Sequence, residues 1–280
     1  MNNGISLRGL YFTFFHDVDD VMIATKDEIV QDWLPRYTGM PCSDFGKWIL
    51  LTNFQSYVDL FAKEHDIRVH GKGGPMTAAT STDGVTIINY GMGSPNAATI
   101  MDLLSAVQPS GVLFLGKCGG LKKSTDVGHF VLPTAAIRGE GTGDSYMPRE
   151  VPALPSFKLQ QFVANAITDH GHEYRTGVIY TTNRRVWEYD KQFREYLRDV
   201  RAIGIDMETA TVFIVGHANR IPRGALLLVS DIPMAPDGIK TEESDRDVSR
   251  RFGEEHLRIG IEAIRHVRDS GEKIKHFQFE

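Results

Sequence analysis

The hydrophobic positions of the chain form short apolar runs that alternate with longer stretches in which apolar residues recur at a helical period. Such runs predict buried strands, and the alternation predicts an α/β fold with a mixed or parallel sheet flanked by helices. The predicted strands are Trp48–Thr52, Val85–Tyr90, Gly111–Leu115, Phe130–Ile137, Glu173–Thr181, Ala202–Ile205 and Ala225–Val229. The predicted helices are Asn96–Val107, Ser156–Asp169, Arg185–Val200, Glu208–Ala218 and Glu242–Arg268.

The organisation along the chain indicates one domain with an amino-terminal extension. Residues 1–45 precede the alternating pattern, and residues 46–280 contain no internal repeat and no low-complexity linker. Ser94 is predicted to cap a helix that opens with Pro95, because serine accepts a bond from a free backbone N–H and proline has no N–H to leave unpaired. The Gly- and Pro-rich segment Arg138–Pro155 is predicted to be a long loop, which can belong to a site or simply be flexible.

Composition narrows the classes of partner. The 280 residues carry a formal net charge of −5 without long blocks of either sign, so we expect a small-molecule partner and neither nucleic acid nor membrane. Cys42, Cys118 and the ten histidines show no ligand spacing for a metal, and no cofactor is expected. The sequence shows no secretory signal at its start and no apolar run long enough for a bilayer, which favours the cytoplasm.

The segment Tyr90–Asn96 places a glycine turn between a predicted strand and a predicted helix. Free N–H groups at a helix start can hold an anion, so Gly93 is a candidate ligand contact. A dinucleotide-binding motif is excluded, because Asn96 replaces its third glycine and the next strand ends in Gly116-Lys117 instead of a carboxylate. A tight turn that needs glycine only for its backbone angles explains the segment equally well.

A second glycine cluster, Gly116–Gly120, follows a predicted buried strand and would let a ligand approach the backbone closely. Lys117 supplies a positive charge suited to phosphate or carboxylate. Cys118 could be a nucleophile, but no histidine is close in the sequence. Because a buried cysteine usually packs as a small hydrophobic residue, the structural interpretation of Cys118 is favoured.

Two pairs of polar residues follow later strands. Asp206 and Glu208 lie between a short strand and a helix, where ligands of α/β sheets bind. The structural alternative is that Asp206 caps the helix and Glu208 complements its dipole. This alternative explains one of the two carboxylates more easily than both. Ser230 and Asp231 end a strongly apolar strand, so a partly desolvated Asp231 could keep a proton to donate near neutral pH. An ordinary turn before Pro233 is the alternative.

Together, the glycine turns, the Met207-Glu208 pair and the late Ser230-Asp231 pair resemble the nucleoside phosphorylase family, where they occur in this order. The finer similarity is to the AMP nucleosidases of that family and extends from about Trp33 to the carboxyl terminus. It rests on the ungapped segments Gly116–Lys123, Ala136–Thr142, Tyr180–Trp187 and Lys240–Asp245. The resemblance implies a three-layer fold with a central mixed, partly barrel-like sheet surrounded by helices. It also implies a homo-oligomer, a hexamer, in which a neighbour can complete each site.

The resemblance further implies roles for individual residues. Met207 and Glu208 would bind the ribose, Glu208 through its hydroxyl groups, and Asp231 would protonate the purine at N7 as it leaves. The other residues expected around the substrate are Cys118, Gly119, Tyr180, Ile205, Ser230 and Gly93. The candidate base for an attacking water is Glu140. The first candidate to bind a 5′-phosphate is Arg36, with Lys117 and Arg184 as lesser candidates. An ordinary surface role is the alternative for each, and it is favoured for Arg184.

The chain departs from the family pattern at positions that determine which nucleophile, phosphate or water, is expected to attack the sugar. Phosphorolytic members present an arginine and a Ser or Thr around the second glycine turn, where this chain has Phe114 and Lys117. Their Gly-Asp-Pro-x-Arg after the first strand is replaced here by Thr52-Asn53-Phe54-Gln55-Ser56. Water is therefore the expected nucleophile, and the expected reaction is hydrolysis of AMP to adenine and ribose 5-phosphate. A phosphate-dependent purine nucleoside phosphorylase and a sensor that binds nucleotide without cleaving it are the alternatives.

Overall fold

The computed structural model describes residues 24–272 and residue 274. Residues 1–23, which include the start of the predicted extension and the stretch considered for a secretory signal, lie outside the described residues. The strands are β1 (Trp48–Thr52), β2 (Thr77–Thr80), β3 (Val85–Asn89), β4 (Gly111–Gly120), β5 (Phe130–Gly139), β6 (Tyr174–Thr182), β7 (Gly204–Asp206) and β8 (Arg223–Asp231). The α-helices of this part of the chain are α1 (Lys26–Thr38), α2 (Gln55–Glu64), α3 (Ser94–Leu103), α4 (Phe157–Asp169), α5 (Lys191–Asp199), α6 (Thr209–Ala218) and α7 (Glu242–Asp269). Short 3₁₀ helices lie at Cys42–Asp44, Leu104–Ala106 and Thr142–Ser145.

The eight strands form one mixed sheet in the order β2-β3-β1-β4-β7-β6-β5-β8. A parallel pairing between β4 and β8 closes β4, β7, β6, β5 and β8 into a five-stranded barrel. The strands β1, β3 and β2 continue from β4 as an open sheet. The predicted α/β fold with a mixed, partly barrel-like sheet is confirmed.

The strand β4 is shared by the barrel and the open sheet, and its sequence accounts for this position. All ten of its residues are buried. Val112 and Phe114 pack into the hydrophobic cluster on one face, whereas Leu113 and Leu115 pack into the cluster on the other. A strand covered on both faces needs a continuous apolar run in place of polar alternation, which is the pattern that β4 has.

Helices cover both faces of the sheet. The long helix α7 contributes Leu257, Ile261 and Ile264 to the cluster that contains Leu113. The helix α6 is buried from Thr209 to Gly216 and packs on the opposite face. Among the described residues, no helix is both long and apolar enough to cross a membrane.

The apolar pattern of the sequence does not predict α1, α2 or β2. The helix α1 buries only Val30, Leu34 and Thr38, so its apolar stripe is too sparse to stand out, although Thr25 and Glu28 form a capping box at its start. The strand β2 consists of Thr and Ala residues, pairs with β3 and is bridged at Ala78 by His70. Strands this short and small depend on a neighbouring strand more than on their own propensity.

Two predicted helix starts are wrong. The helix α3 begins at Ser94, with Gly93 in the N-cap position, and it ends at Leu103. The helix α5 begins at Lys191 instead of Arg185, because the Asp190 side chain accepts a hydrogen bond from the Phe193 N–H and caps it there. Residues 183–190 therefore form a loop outside the barrel strands.

The predicted loop Arg138–Pro155 contains more structure than expected. The strand β5 continues to Gly139, and a 3₁₀ turn follows at Thr142–Ser145. The Arg138 guanidinium donates to Asp144 Oδ1 at 3.0 Å and to the Met147 carbonyl at 2.7 Å. The buried Arg138 guanidinium thus holds the turns of this segment together.

Candidate active site

The carboxyl ends of β1, β4, β6, β7 and β8 contribute side chains to a single cleft. Ligands of α/β sheets bind at such strand ends, because the loops that follow converge there. The first residues of α7 and the loop before α5 close the sides. The lining residues are Asn53, Phe54, Met92, Lys117, Cys118, Gly119, Thr182, Arg184, Arg185, Trp187, Glu188, Ile205, Asp206, Met207, Glu208, Ser230, Asp231, Lys240 and Asp245.

Glu208 directly precedes α6 and is 3% exposed. The Gly93 N–H donates to its Oε1 at 2.7 Å, and the Met207 N–H donates to its Oε2 at 3.3 Å. Gly93 has φ 96°, a left-handed conformation that favours glycine, so the first glycine turn directs an N–H at this carboxylate. Burial raises the pKa of Glu208 to about 7, and the charge of Asp206 adds to the rise.

Ser94 and Asp206 hold the Met207-Glu208 turn in place. The Ser94 hydroxyl donates to the Met207 carbonyl at 2.6 Å, so Ser94 links two elements and does not cap its own helix. Asp206 accepts from Thr181 Oγ1 at 2.7 Å and from the Thr209 N–H at 2.8 Å. Its oxygens are therefore occupied within the protein. Of the two carboxylates, Asp206 fits the structural role, and Glu208 has the capacity to meet a ligand.

Asp231 also lines the cleft, at the end of β8. Its side chain is 13% exposed, and Lys240 Nζ lies 3.7 Å from its Oδ1. The Ser230 hydroxyl donates to the same oxygen at 2.7 Å. A carboxyl at this position can reach a ligand, while the cation and the hydroxyl fix its orientation.

Lys117 lines the cleft, but its charge is already neutralised within the protein. Its Nζ donates to Asp245 Oδ1 at 2.9 Å and to Ser249 Oγ at 2.7 Å, and it lies 4.4 Å from the centre of the Phe54 ring. The side chain is 3% exposed. Burial lowers the pKa of Lys117, and the Asp245 carboxylate opposes that shift. Lys117 therefore connects β4 to α7.

The residues predicted from the sequence to surround the purine and the ribose separate into two groups. Cys118, Gly119, Ile205 and Met207 line the cleft. Burial raises the pKa of the Cys118 thiol, which agrees with a packing role and not a nucleophilic one. Tyr180 is not among the lining residues and packs against Phe193 and Tyr196 instead.

Two further predicted residues lie away from this cleft. Glu140 lines a separate cavity on the β5 side, where its oxygens accept from the Gly141 and Gly143 N–H groups at 2.9 and 2.8 Å. Thr211 Oγ1 also donates to it at 3.1 Å. Arg36 is exposed near the end of α1 and is not among the cleft-lining residues of its own chain.

The cleft also contains polar residues to which the sequence analysis assigns no role. Asn53, Thr182, Arg185, Lys240 and Asp245 all line it. Lys240 and Asp245 fall within one of the segments that carry the family resemblance, and Asn53 falls within a segment that departs from it. The resemblance and the departure could therefore have pointed to these three residues. Nothing local in the sequence indicates that α7 packs back against the end of β4. The described residues contain no group of three His, Cys, Asp or Glu side chains able to hold a metal ion.

A model of the phosphorylase superfamily matches residues 47–265. The chain belongs to this superfamily. Within the superfamily, the chain is similar to an AMP nucleosidase from Bacteroides thetaiotaomicron, whose crystal structure aligns with a TM-score of 0.79 at 51% identity over 88% of this chain and 99% of that one. A uridine phosphorylase structure from Vibrio fischeri aligns with a TM-score of 0.68 at 16% identity, which bears on the fold alone.

Sequence relatives in the superfamily include enzymes of two reaction types. The AMP nucleosidase of Escherichia coli strain K12 is 29% identical over 86% of this chain, and the match spans 59% of that protein. The guanosine phosphorylase of Halorubrum lacusprofundi is 30% identical over 64% of this chain and 75% of that protein. The chain thus spans less than two thirds of the curated AMP nucleosidase that it matches.

Proposed function

We propose that this superfamily member is an enzyme that hydrolyses the N-glycosidic bond of AMP to adenine and ribose 5-phosphate. The proposal rests on a cleft that holds Glu208 and Asp231 together. It is supported by the 51% identity to the AMP nucleosidase of Bacteroides thetaiotaomicron. In this proposal Glu208 acts at the sugar and Asp231 acts at the base.

The observation that favours hydrolysis over phosphorolysis concerns Lys117, whose ammonium group is paired with side chains of the protein itself. A phosphate nucleophile needs cationic or N–H partners in the cleft. Lys117 occupies the position where phosphorolytic members present Ser or Thr, and its ammonium group is bound to Asp245 and Ser249 over the Phe54 ring. Phe114, where those members have arginine, is completely buried. Water needs no cation at this position, which supports water as the nucleophile.

In the proposed reaction, Glu208 accepts hydrogen bonds from the ribose hydroxyls and stabilises positive charge that develops on the sugar. Asp231 gives a proton to N7 of the purine, while the electron pair of the C1′–N9 bond moves onto the base. The oxygen of water bonds to C1′ and loses a proton to solvent, and Asp231 regains a proton from solvent, so the products are neutral adenine and ribose 5-phosphate. Proton donation of this kind contributes about 10²–10⁴ in rate, or roughly 3–5 kcal/mol.

The 5′-phosphate of the nucleotide would be held at the rim of the cleft. Arg184 and Arg185 line it with side chains that are 42% and 52% exposed. Each is paired with one carboxylate, Asp190 and Glu188 respectively, which a phosphate dianion could displace. Arg36 stays a prediction for a cleft that a neighbouring chain completes, in a homo-oligomer such as a hexamer. We place the enzyme in the cytoplasm, where AMP is available.

The test is adenine release from AMP and from adenosine, each with and without added phosphate. We expect release from AMP without phosphate, with ribose 5-phosphate as the sugar product. Release that requires phosphate, with a sugar 1-phosphate as product, would identify a phosphorylase, the second candidate that the similarity to guanosine phosphorylase supports. Tight AMP binding without adenine release would identify a nucleotide sensor.

A further inference from the structure

Two lysines of the cleft lie close to one carboxylate. Lys117 Nζ donates to Asp245 Oδ1 at 2.9 Å, and Lys240 Nζ lies 3.4 Å from the same oxygen. Lys117 belongs to β4, Lys240 to the loop before α7 and Asp245 to the first turn of α7, and all three line the cleft. Asp245 is therefore placed where one carboxylate neutralises two cations of the site.

The two lysines differ in how far they depend on Asp245. Lys240 also lies 3.7 Å from Asp231 Oδ1, so a second carboxylate remains beside it. No other carboxylate of the described residues is paired with Lys117, whose second hydrogen bond goes to the uncharged Ser249 hydroxyl at 2.7 Å. Loss of the Asp245 charge would therefore leave the Lys117 ammonium group without a compensating anion at the wall of the cleft.

The Asp245 carboxylate is ionised at neutral pH. Burial raises its pKa, but the hydrogen bond from Lys117 and the charge of Lys240 lower that pKa below its usual value on balance. Its side chain is 39% exposed, whereas that of Lys117 is 3% exposed. Because a buried charge without a partner is costly, the Lys117 ammonium group would take an anion from the cleft if Asp245 were neutral.

We propose that Asp245 determines the nucleophile of the reaction, because its carboxylate excludes inorganic phosphate from the cleft. The carboxylate pairs with the Lys117 charge that would otherwise bind a phosphate dianion. The inference rests on the proposed function, in which water attacks the sugar, and it identifies the residue that keeps the competing nucleophile out.

The variant Asp245→Asn is expected to admit phosphate as a second nucleophile. An oxygen of phosphate bonds to C1′ as the C1′–N9 bond breaks, and the electron pair of that bond moves onto the base, which takes a proton from Asp231. Phosphate loses its own proton to solvent, and Asp231 regains one from solvent. The products are neutral adenine and ribose 1,5-bisphosphate, whereas water gives ribose 5-phosphate.

The first test measures the binding of inorganic phosphate by titration calorimetry, with no nucleotide present. We expect Asp245→Asn to bind phosphate about tenfold more tightly than the wild type does. Asp245→Glu keeps the charge and should bind phosphate as weakly as the wild type. Addition of Lys117→Met to Asp245→Asn should abolish the gain, because the cation that holds the phosphate is then absent.

The matched control is Asp247→Asn on the same helix. The Asp247 side chain is 36% exposed and is also paired with two cations, Arg250 at 2.6 Å and Arg251 at 3.2 Å, but it does not line the cleft. The control removes the same charge from α7 and should leave the affinity for phosphate within about twofold of the wild-type value.

The second test supplies AMP together with radioactively labelled phosphate. We expect label in the sugar product of Asp245→Asn and none in that of the wild type. Tighter phosphate binding without label would show that Asp245 excludes an anion but does not select the nucleophile, and this outcome would overturn the proposal.

A purely structural role for Asp245, as a link between β4 and α7, predicts other results. The unfolding temperature of Asp245→Asn would fall while its affinity for phosphate stayed at the wild-type value, which would also overturn the proposal. A gain in affinity that survives Lys117→Met would do the same. If Asp245→Asn fails to fold, Asp245→Ser removes the charge, keeps an acceptor for Lys117 and carries the same tests.

The two proposals can fail separately. A wild type that hydrolyses AMP, beside an Asp245→Asn variant that still excludes phosphate, refutes this inference alone. A wild type that releases no adenine from AMP, beside an Asp245→Asn variant with the expected gain in phosphate affinity, refutes the proposed function.

Discussion

The molecule contains two clusters of carboxylates whose environments differ. In the cleft, Asp206 and Glu208 are buried next to each other, and burial raises the pKa of both. Between α4 and α7, His170 lies between two glutamates, with Nδ1 2.8 Å from Glu255 Oε1 and Nε2 2.6 Å from Glu262 Oε2. There burial opposes ionisation of Glu255, but the hydrogen bonds from His170 and His172 lower its pKa on balance.

The difference indicates that the carboxylates of the cleft, unlike those of the His170 cluster, lower the stability of the folded protein. The His170 cluster pairs each negative charge with a donor and lies at the surface, as a structural ion pair does. The cleft pair places two carboxylates in the interior with backbone N–H groups and hydroxyls as partners, and no cation of the described residues is paired with either. Strongly perturbed carboxyl groups in a cleft are typical of catalytic sites, because selection for function outweighs the stability that is lost.

The largest effect is expected from removal of the proton donor. Asp231→Asn should reduce adenine release from AMP by about 10²–10⁴-fold, because an amide cannot supply the proton that N7 needs. The measurement is kcat for adenine formation, with the unfolding temperature as evidence of an intact fold. The matched control is Asp199→Asn, an exposed carboxylate at the end of α5. Near-normal turnover in folded Asp231→Asn would remove Asp231 from the mechanism.

A change at Glu208 should affect activity and stability in opposite directions. Glu208→Gln should lower kcat/KM by about 10²–10³-fold, since the charge that stabilises the cationic sugar is lost. Because the folded-state pKa of Glu208 is raised, its ionised form costs stability as the pH rises from about 4.5 to about 7. The variant should therefore gain on the order of 1–3 kcal/mol of unfolding free energy at pH 8 and little at pH 4. A loss of stability at pH 8 would contradict this account of the cleft.

The pH dependence of the wild type should reflect the same group. Glu208 must be ionised to stabilise positive charge, and burial together with Asp206 raises its pKa to about 7. We expect the acid limb of kcat/KM to fall about tenfold per pH unit below that value. A steady-state profile from pH 5 to pH 9 measures this limb. A flat profile through neutral pH would show that the active form of the enzyme does not depend on this carboxylate.

The smallest effect is expected in the surface cluster. Burial works against the positive charge of His170, but Glu262 and Glu255 raise its pKa above the usual value. The stabilisation is complete below the unfolded value of about 6.5 and is lost as the pH rises through the folded value. His170→Gln should cost at most about 1 kcal/mol at pH 6 and less at pH 9, with adenine release unchanged. His266→Gln, which removes a single contact with Glu262 at 3.3 Å, is the matched control. Equal losses at both pH values would contradict the charge-based account.

The sequence by itself determined the elements with strong local patterns. The continuous apolar run of β4, the apolar end of β8 and the period of α7 follow directly from which faces are buried, so strand and helix types could be predicted there. Family resemblance then supplied the roles of Glu208 and Asp231, which local spacing could not distinguish from a helix start and a turn. The short strand β2 and the helix α1, which has few buried apolar residues, could not be predicted, because their stability comes from neighbouring elements.

Only the tertiary structure decided which residues share the cleft. It brings Asn53 into the same cleft as Glu208, and it brings Asp245 to Lys117 across 128 residues, because strand order and helix packing set these distances and sequence spacing does not. It likewise places Glu140 and Tyr180 outside the cleft, although both lie in segments that carry the resemblance. The electrostatic state of a site side chain depends on all the groups packed around it, so charge, burial and partner could be assigned only after the fold was known.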